Sequence, residues 1–293
     1  MDFFVTFWGV RGSIPTPGHA TQKYGGNTAC IEVNVDEDLF ILDGGSGLRT
    51  LGASLLRRGR KQIEAHMLFS HSHWDHIQGF PFFPLAYNPN TTLFVYGTKE
   101  GDRVIYDLLS GQMQDKYFPV QFSDLGAKIL PNHLNGGKRK IGHATVDYIA
   151  TEHPGGSLAY SISASGKKLV YSTDNELDLR LLNREETIER PSAFRKAPPE
   201  FVEFCKDADL LICDGQYTDR EYSSHVHWGH PRATSLVDLA IAANAKRLAI
   251  THHDPLQTDE MVDRKIEQCR ERAIGWGYEG AIFAAREGIT LKL

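Results

Sequence analysis

Apolar positions fall first in short runs and later in longer, helix-spaced sets. Residues 3–7 are aromatic and β-branched, and Ile31-Glu32-Val33-Asn34-Val35 alternates as a half-buried strand does. Leu39-Phe40-Ile41-Leu42 is a short apolar run that stops at Asp43-Gly44-Gly45-Ser46-Gly47. Over 48–58, Leu48, Leu51, Leu55 and Leu56 share one helical face. Met67-Leu68-Phe69 and Leu93-Phe94-Val95-Tyr96 read as buried strands, with more predicted at 145–150, 158–164, 168–172, 209–213 and 247–250. Helices are predicted over 232–244 and 258–273. Turn formers fill 12–18, and the charged, proline-punctuated stretch 175–207 is expected as a surface insertion. With no repeat or linker in sight, the pattern predicts one α/β domain over 1–293.

Composition narrows this modestly. The 293 residues are 41% hydrophobic and carry a net charge of −5. Basic residues cluster only at Arg57-Arg58-Gly59-Arg60-Lys61 and Lys138-Arg139-Lys140, which is less than the broad stripe duplex nucleic acid asks for. No signal-peptide pattern opens the chain, and no run approaches the roughly 20 apolar residues of a membrane span. Cys30, Cys205, Cys213 and Cys269 form no C-x-x-C pair. A cytoplasmic protein with reduced, mostly buried thiols is expected.

The chemistry concentrates at His71-Ser72-His73-Trp74-Asp75-His76, directly after an apolar strand. Neutral imidazole and carboxylate are the ligands zinc and its neighbours prefer. Alternate residues of an extended segment point the same way, so His71 and His73 can share one ion. Asp75 and His76 fall where the chain turns and can reach a second. Lone histidines are more often surface decoration or satisfied core residues, but this density after a buried strand favours metal.

This signature resembles the metallo-β-lactamase fold, and the remaining pieces follow in order. Glu152-His153-Pro154 resembles the third imidazole of the first metal, Ser172-Thr173-Asp174 the bridging aspartate, and Thr251-His252-His253 the last histidine. The resemblance implies a four-layer αββα sandwich. It also implies a dinuclear site liganded by His71, His73, Asp75, His76, His153, Asp174 and His252. Of the adjacent pair, the preceding strand and threonine favour His252 as ligand, leaving His253 to support a ligand or meet substrate. Asp43 resembles the acid that fixes a ligand imidazole, although a simple turn residue before Gly44-Gly45 is the alternative.

Within that fold, His73 argues against the redox diiron branch, which carries a glutamate there. Trp228-Gly229-His230-Pro231-Arg232-Ala233-Thr234 resembles the Gly-His-Ser-Thr element of ribonuclease Z and related phosphodiesterases. There the histidine faces the scissile phosphate, supported by an acid, and Asp214 occupies the matching place where the group usually has Glu. His230 could instead merely cap the helix that follows. The opening Phe7-Trp8-Gly9-Val10-Arg11-Gly12-Ser13 and Tyr24-Gly25-Gly26-Asn27-Thr28 are similar to a bacterial subgroup near the phosphoribosyl cyclic phosphodiesterases. Asn27 lines the metal edge or sits in a plain turn.

The implied reaction is hydrolysis of a phosphodiester by water activated between two divalent ions, with Asp75 among the metal-holding catalytic groups. Zinc is the default ion, manganese or iron the alternatives. His230, held by Asp214, would protonate the leaving alkoxide, a role typically worth about 10²–10⁴ in rate. A small phosphodiester such as a cyclic nucleotide or short oligonucleotide is expected. Long RNA or duplex DNA is not, because the chain is acidic and lacks the basic arm of ribonuclease Z proper. The aromatic residues of 80–130 suit a base-stacking wall, core packing or a homodimer contact. Rival readings are an ester, thioester or sulfate-ester hydrolase, a lactamase-like amidase, and a non-catalytic sensor of metal or nucleotide.

Overall fold

The computed structural model describes residues 2–97, 105–132 and 137–293. Its strands are β1 Phe3–Gly9, β2 Cys30–Val35, β3 Asp38–Leu42, β4 Ile63–Leu68, β5 Thr91–Tyr96, β6 Lys128–Asn132 and β7 Arg139–Ile141. The later ones are β8 Ala144–Thr151, β9 Ser157–Ala164, β10 Lys167–Ser172, β11 Leu210–Asp214, β12 Arg247–Thr251, β13 Ala281–Ala284 and β14 Thr290–Lys292. They form two sheets in the orders β14-β1-β2-β3-β4-β5-β6 and β13-β12-β11-β10-β9-β8-β7. Both follow one plan. Three antiparallel pairings lead to β3 in the first sheet and to β10 in the second. Three parallel pairings then follow in each.

The helices are α1 Gly47–Arg57, α2 Trp74–Ile77, α3 Ile105–Gly111, α4 Arg184–Glu189, α5 Pro199–Cys205, α6 Asp219–Tyr222, α7 Ala233–Ala242 and α8 Asp259–Gly275. Three apolar clusters show how the layers stack. Phe40, Leu42 and Leu68 of the first sheet meet Tyr160, Leu169 and Ile212 of the second in the central interface. On the outer side of the first sheet, Leu48, Leu51 and Leu55 of α1 pack on Leu39, Ile41 and Met67. Leu236, Val237, Val262 and Ile266 of α7 and α8 cover Val170, Leu211 and Ile250 of the second. The α/β class and four-layer sandwich expected from the sequence are therefore present. β11 is buried along its whole length, as a parallel strand covered on both faces must be.

The stretch 175–207 holds α4 and α5, with Leu177, Asp178, Thr187, Arg195 and Phe201 buried. Among the described residues no helix is long and apolar enough to cross a membrane. All four cysteines are free and buried.

Candidate metal centre

Parallel strands aim their C-terminal ends one way, and here both sheets aim theirs at one mouth. After β4 the chain stays extended through His73 (φ −60°, ψ 151°), then α2 begins at Trp74 and swings Asp75 and His76 aside. His71, His73 and His153 converge with Asp174, all ligand atoms lying within 4.8 Å of one another. Asp75, His76 and His252 form a second such group. Asp174 spans the two. Its Oδ2 lies 3.6 Å from His71 Nε2 and 3.7 Å from His153 Nε2, while Oδ1 lies 3.2 Å from Nε2 of both His76 and His252.

The opposite ring nitrogens are engaged. His76 Nδ1 donates to Asp43 Oδ2 at 2.9 Å, His252 Nδ1 to Gln216 Oε1 at 2.9 Å, and His153 Nδ1 to the Gly229 carbonyl at 3.1 Å. With Nδ1 so engaged, Nε2 is the nitrogen each ring turns toward the cluster, the usual way a metal-binding imidazole is oriented. Asp43 also accepts from the Ser70 amide, the Ser70 hydroxyl and the Tyr171 hydroxyl at 2.7, 2.9 and 2.7 Å. One observation tests whether the pocket suits a cation. His71 Nε2 is buried and has no hydrogen-bond partner among the described residues, although leaving a polar atom so costs about 1–3 kcal/mol. An imidazole-and-carboxylate donor set around such an atom fits a divalent ion.

Three of these residues hold unusual backbones. Asp43, Asp174 and His252 have φ of 59°, 47° and 56°, each just past the end of a parallel-paired strand, β3, β10 or β12. Such conformations cost non-glycine residues roughly 1–3 kcal/mol and persist where the surroundings demand them. The electrostatics are mutual. Burial alone would raise the Asp174 carboxyl, but His252, His76 and His71 hold it well below the usual range. Burial likewise opposes ionisation of Asp75, and His76 and His252 outweigh it. Burial and then His76 press His71 down, so it stays neutral and able to ligate. Against burial, Asp174 and Asp214 lift His252 to about 9. A bound cation must therefore displace a proton from His252.

His230 stands at the edge of this cluster. Its Nδ1 donates to Asp214 Oδ2 at 2.7 Å, and its ring stacks on His252 with centroids 4.9 Å apart. Burial opposes its charge, yet Asp214 and Asp174 leave its pKa above the ordinary histidine value. The preceding Gly229 has φ 90°, and a Cβ there would overlap the His153 imidazole. Glu176 grips this loop by accepting the His227 and Gly229 amides, both at 2.7 Å. Asp174, Asp214, His230 and His252 also qualify as a convergent group, so His230 is near enough to compete as a ligand.

The opening motif buttresses the mouth. Gly12 lies against the His252 ring, where no Cβ would fit, and the Ser13 amide donates to Asp75 Oδ2 at 2.8 Å. His253 turns away from the cluster: its Nε2 lies 3.4 Å from the Ala285 carbonyl and its ring 5.6 Å from that of Tyr24. Asn27 binds Glu287 through its amide and side chain at 2.6 and 2.9 Å, tying loops together rather than facing the cluster. Of the aromatic residues in 80–130, Phe80 and Phe83 are core, while Phe82 and Tyr117 are exposed. The exposed indoles nearest the site are Trp74, 65% exposed between His73 and Asp75, and Trp228, 61% exposed beside Gly229. Sequence reasoning did not single out Ser70, Tyr171, Glu176 or Gln216. Ser70 beside His71, and Glu176 and Gln216 each two residues past Asp174 and Asp214, carried only the signal of closeness to a candidate residue.

The beta-lactamase superfamily domain matches residues 40–253. Ribonuclease Z of Myxococcus xanthus is 24% identical over 314 residues, spanning 99% of this chain and 97% of its own. In fold, the metallo-beta-lactamase fold protein YhfI of Bacillus subtilis gives a TM-score of 0.70 at 19% identity, covering 100% of this chain and 99% of its own. Human tRNase Z, short form, gives 0.63 at 16% identity, with 98% of each chain covered. These relatives overturn the expectation that long RNA is excluded. Net charge is summed over the whole surface and does not set the field at one mouth. A relative named for RNA cleavage matches this chain nearly end to end.

Proposed function

The chain belongs to the beta-lactamase superfamily, and on that premise we propose that this metal-dependent hydrolase cleaves phosphodiesters, nucleic acids among them. The His230–Asp214 pair carries the proposal. An alkoxide leaving group needs a proton, whereas a thiolate does not. A buried imidazole held at 2.7 Å by a carboxylate beside the cluster is the donor such a reaction calls for. Asp214 keeps the His230 ring in the tautomer with hydrogen on Nδ1, and protonation of Nε2 then readies the imidazolium to donate.

His71, His73 and His153 with one Asp174 oxygen would hold one divalent ion, and Asp75, His76 and His252 with the other oxygen a second. Zinc suits the nitrogen-rich donors, with manganese or iron as alternatives at the second position. When bound, such ions make water acidic enough to ionise near pH 7 and offset charge on the phosphate. The chain's own residues do the rest. Asp43, Gln216 and the Gly229 carbonyl orient the imidazoles, and Glu176 holds the His230 loop. Trp74, next to His73, and Trp228, next to Gly229, offer exposed indoles on which bases flanking the scissile bond can stack, each contact worth about 1–3 kcal/mol where stacking occurs. The four free, buried thiols agree with a cytoplasmic home.

Protein reconstituted with zinc or manganese is assayed on bis-p-nitrophenyl phosphate, cyclic nucleotides, short RNAs and a tRNA precursor, with thioesters and carboxyl esters alongside. Turnover of at least one nucleotide phosphodiester is expected. Activity confined to the thioester or carboxyl-ester arm would replace this function with the ester-hydrolase one.

A further inference from the structure

Behind the His230 loop lies a second cavity of about 490 Å³, walled by α4, α6 and residues 223–232. Its volume is in the range that holds a small ligand, about 300–1,000 Å³. Ile188, Pro191, Tyr222 and Val226 give it apolar walls. Ile188 is 68% exposed at this cavity, an apolar side chain that none of the described residues covers.

The charges around it do not balance. Asp178 is consumed by Arg232, which donates to it through Nε and Nη2 at 2.9 and 2.7 Å, and by the Ser235 hydroxyl. Asp219 is consumed by Thr234 and by Arg195, a fully buried guanidinium 3.2 Å away. Arg184 and Arg220 also line the cavity, and among the described residues their guanidinium groups make no ion pair or hydrogen bond. None of the three α4 glutamates lines it. Two unspent forks beside an apolar wall match an anionic group attached to a ring, since guanidinium pairs bidentately with carboxylate and phosphate.

We propose that this cavity binds a small organic anion, an apolar ring bearing a phosphate, carboxylate or sulfonate, at a site separate from the metal cluster. Its wall reaches the cluster through hydrogen bonds. The Tyr222 hydroxyl donates to Glu176 at 2.8 Å, Glu176 holds the Gly229 amide, and the Gly229 carbonyl accepts from His153.

The test uses anilinonaphthalene sulfonate as fluorescent probe on the metal-loaded protein, with adenosine monophosphate and 2-naphthoate as competitors. Saturable binding at one site with a dissociation constant on the order of 10 µM is expected. Displacement by the monophosphate or by the naphthoate supports the site and tells which anion it prefers. The Arg184→Ala/Arg220→Ala double variant should weaken the probe by at least about tenfold, and Ile188→Asp should do so by a separate route, both with unchanged metal content and melting temperature. His73→Ala should leave probe binding intact. Equal binding by the double variant and by Ile188→Asp would overturn the proposal, and so would loss of binding in His73→Ala.

Discussion

The two halves of the molecule share a sheet plan but feed the mouth differently. The first half supplies His71, His73, Asp75 and His76 from one six-residue stretch, where a strand runs into α2. The second half supplies His153, Asp174, Asp214, His230 and His252 from separate strand ends and loops. In the first half, local backbone geometry spaces the side chains, and Asp43 and the Ser13 amide then fix His76 and Asp75. In the second, each must be placed by the fold around it: Asp174 and His252 sit on left-handed backbone, Gln216 turns His252, and Glu176 anchors the loop bearing Gly229. A site built this way concentrates its sequence signal in one half and its dependence on long-range packing in the other.

Asp174 is the residue on which both halves converge, so its removal should have the largest effect. Asp174→Ala takes an oxygen from each group, and we expect both ions to be lost or weakened, with activity falling by more than the roughly 10²–10⁴-fold of a lost proton donor. Elemental analysis beside His73→Ala would check it. If Asp174→Ala kept as much metal as His73→Ala, the carboxylate would not span the two groups.

The dependence on packing can be tested with two glycines. Gly59 and Gly229 both have positive φ, but a Cβ on Gly59 meets none of the described residues, whereas one on Gly229 meets His153. Gly59→Ala should cost about 1 kcal/mol of stability and leave the site alone. Gly229→Ala should carry the same strain and also lower metal content and turnover. Equal behaviour in urea titration and metal analysis would erase the distinction.

A smaller effect belongs to the first half alone. His66, stacked on Phe94 between the sheets, is pushed by burial to about 4. The folded chain thus prefers it neutral. Its contribution to stability is full above about 6.5 and is lost as pH falls through about 4. His66→Phe should flatten the decline of stability between those values, read as urea midpoints with and without chelator. An unchanged decline would place the acid sensitivity elsewhere.

The same contrast explains what the sequence revealed. His71 to His76 was legible because strand and turn geometry converts spacing directly into direction. Asp174 and His252 were legible only through strand ends and family resemblance. Tyr171 on Asp43 and Glu176 on Gly229 left no pattern, since their partners lie 128 and 53 residues away. The short strands β6, β7, β13 and β14 also went unread, because three to five residues carry too little alternation. In 175–207 charge suggested surface, yet Asp178 and Arg195 are buried because Arg232 and Asp219 neutralise them.

We propose that His230 donates a proton beside a metal cluster it does not help to hold. The decisive measurement is turnover of His230→Ala on two phosphodiesters, one leaving a ribose hydroxyl and one leaving p-nitrophenolate, with metal content followed in parallel. About two ions should be retained. The kcat should fall by about 10²–10⁴ for the ribose substrate and far less for p-nitrophenolate, whose pKa of about 7 scarcely calls for an acid. Full activity on the ribose substrate would rule out His230 as the donor, as would an equal loss on both that follows the loss of metal.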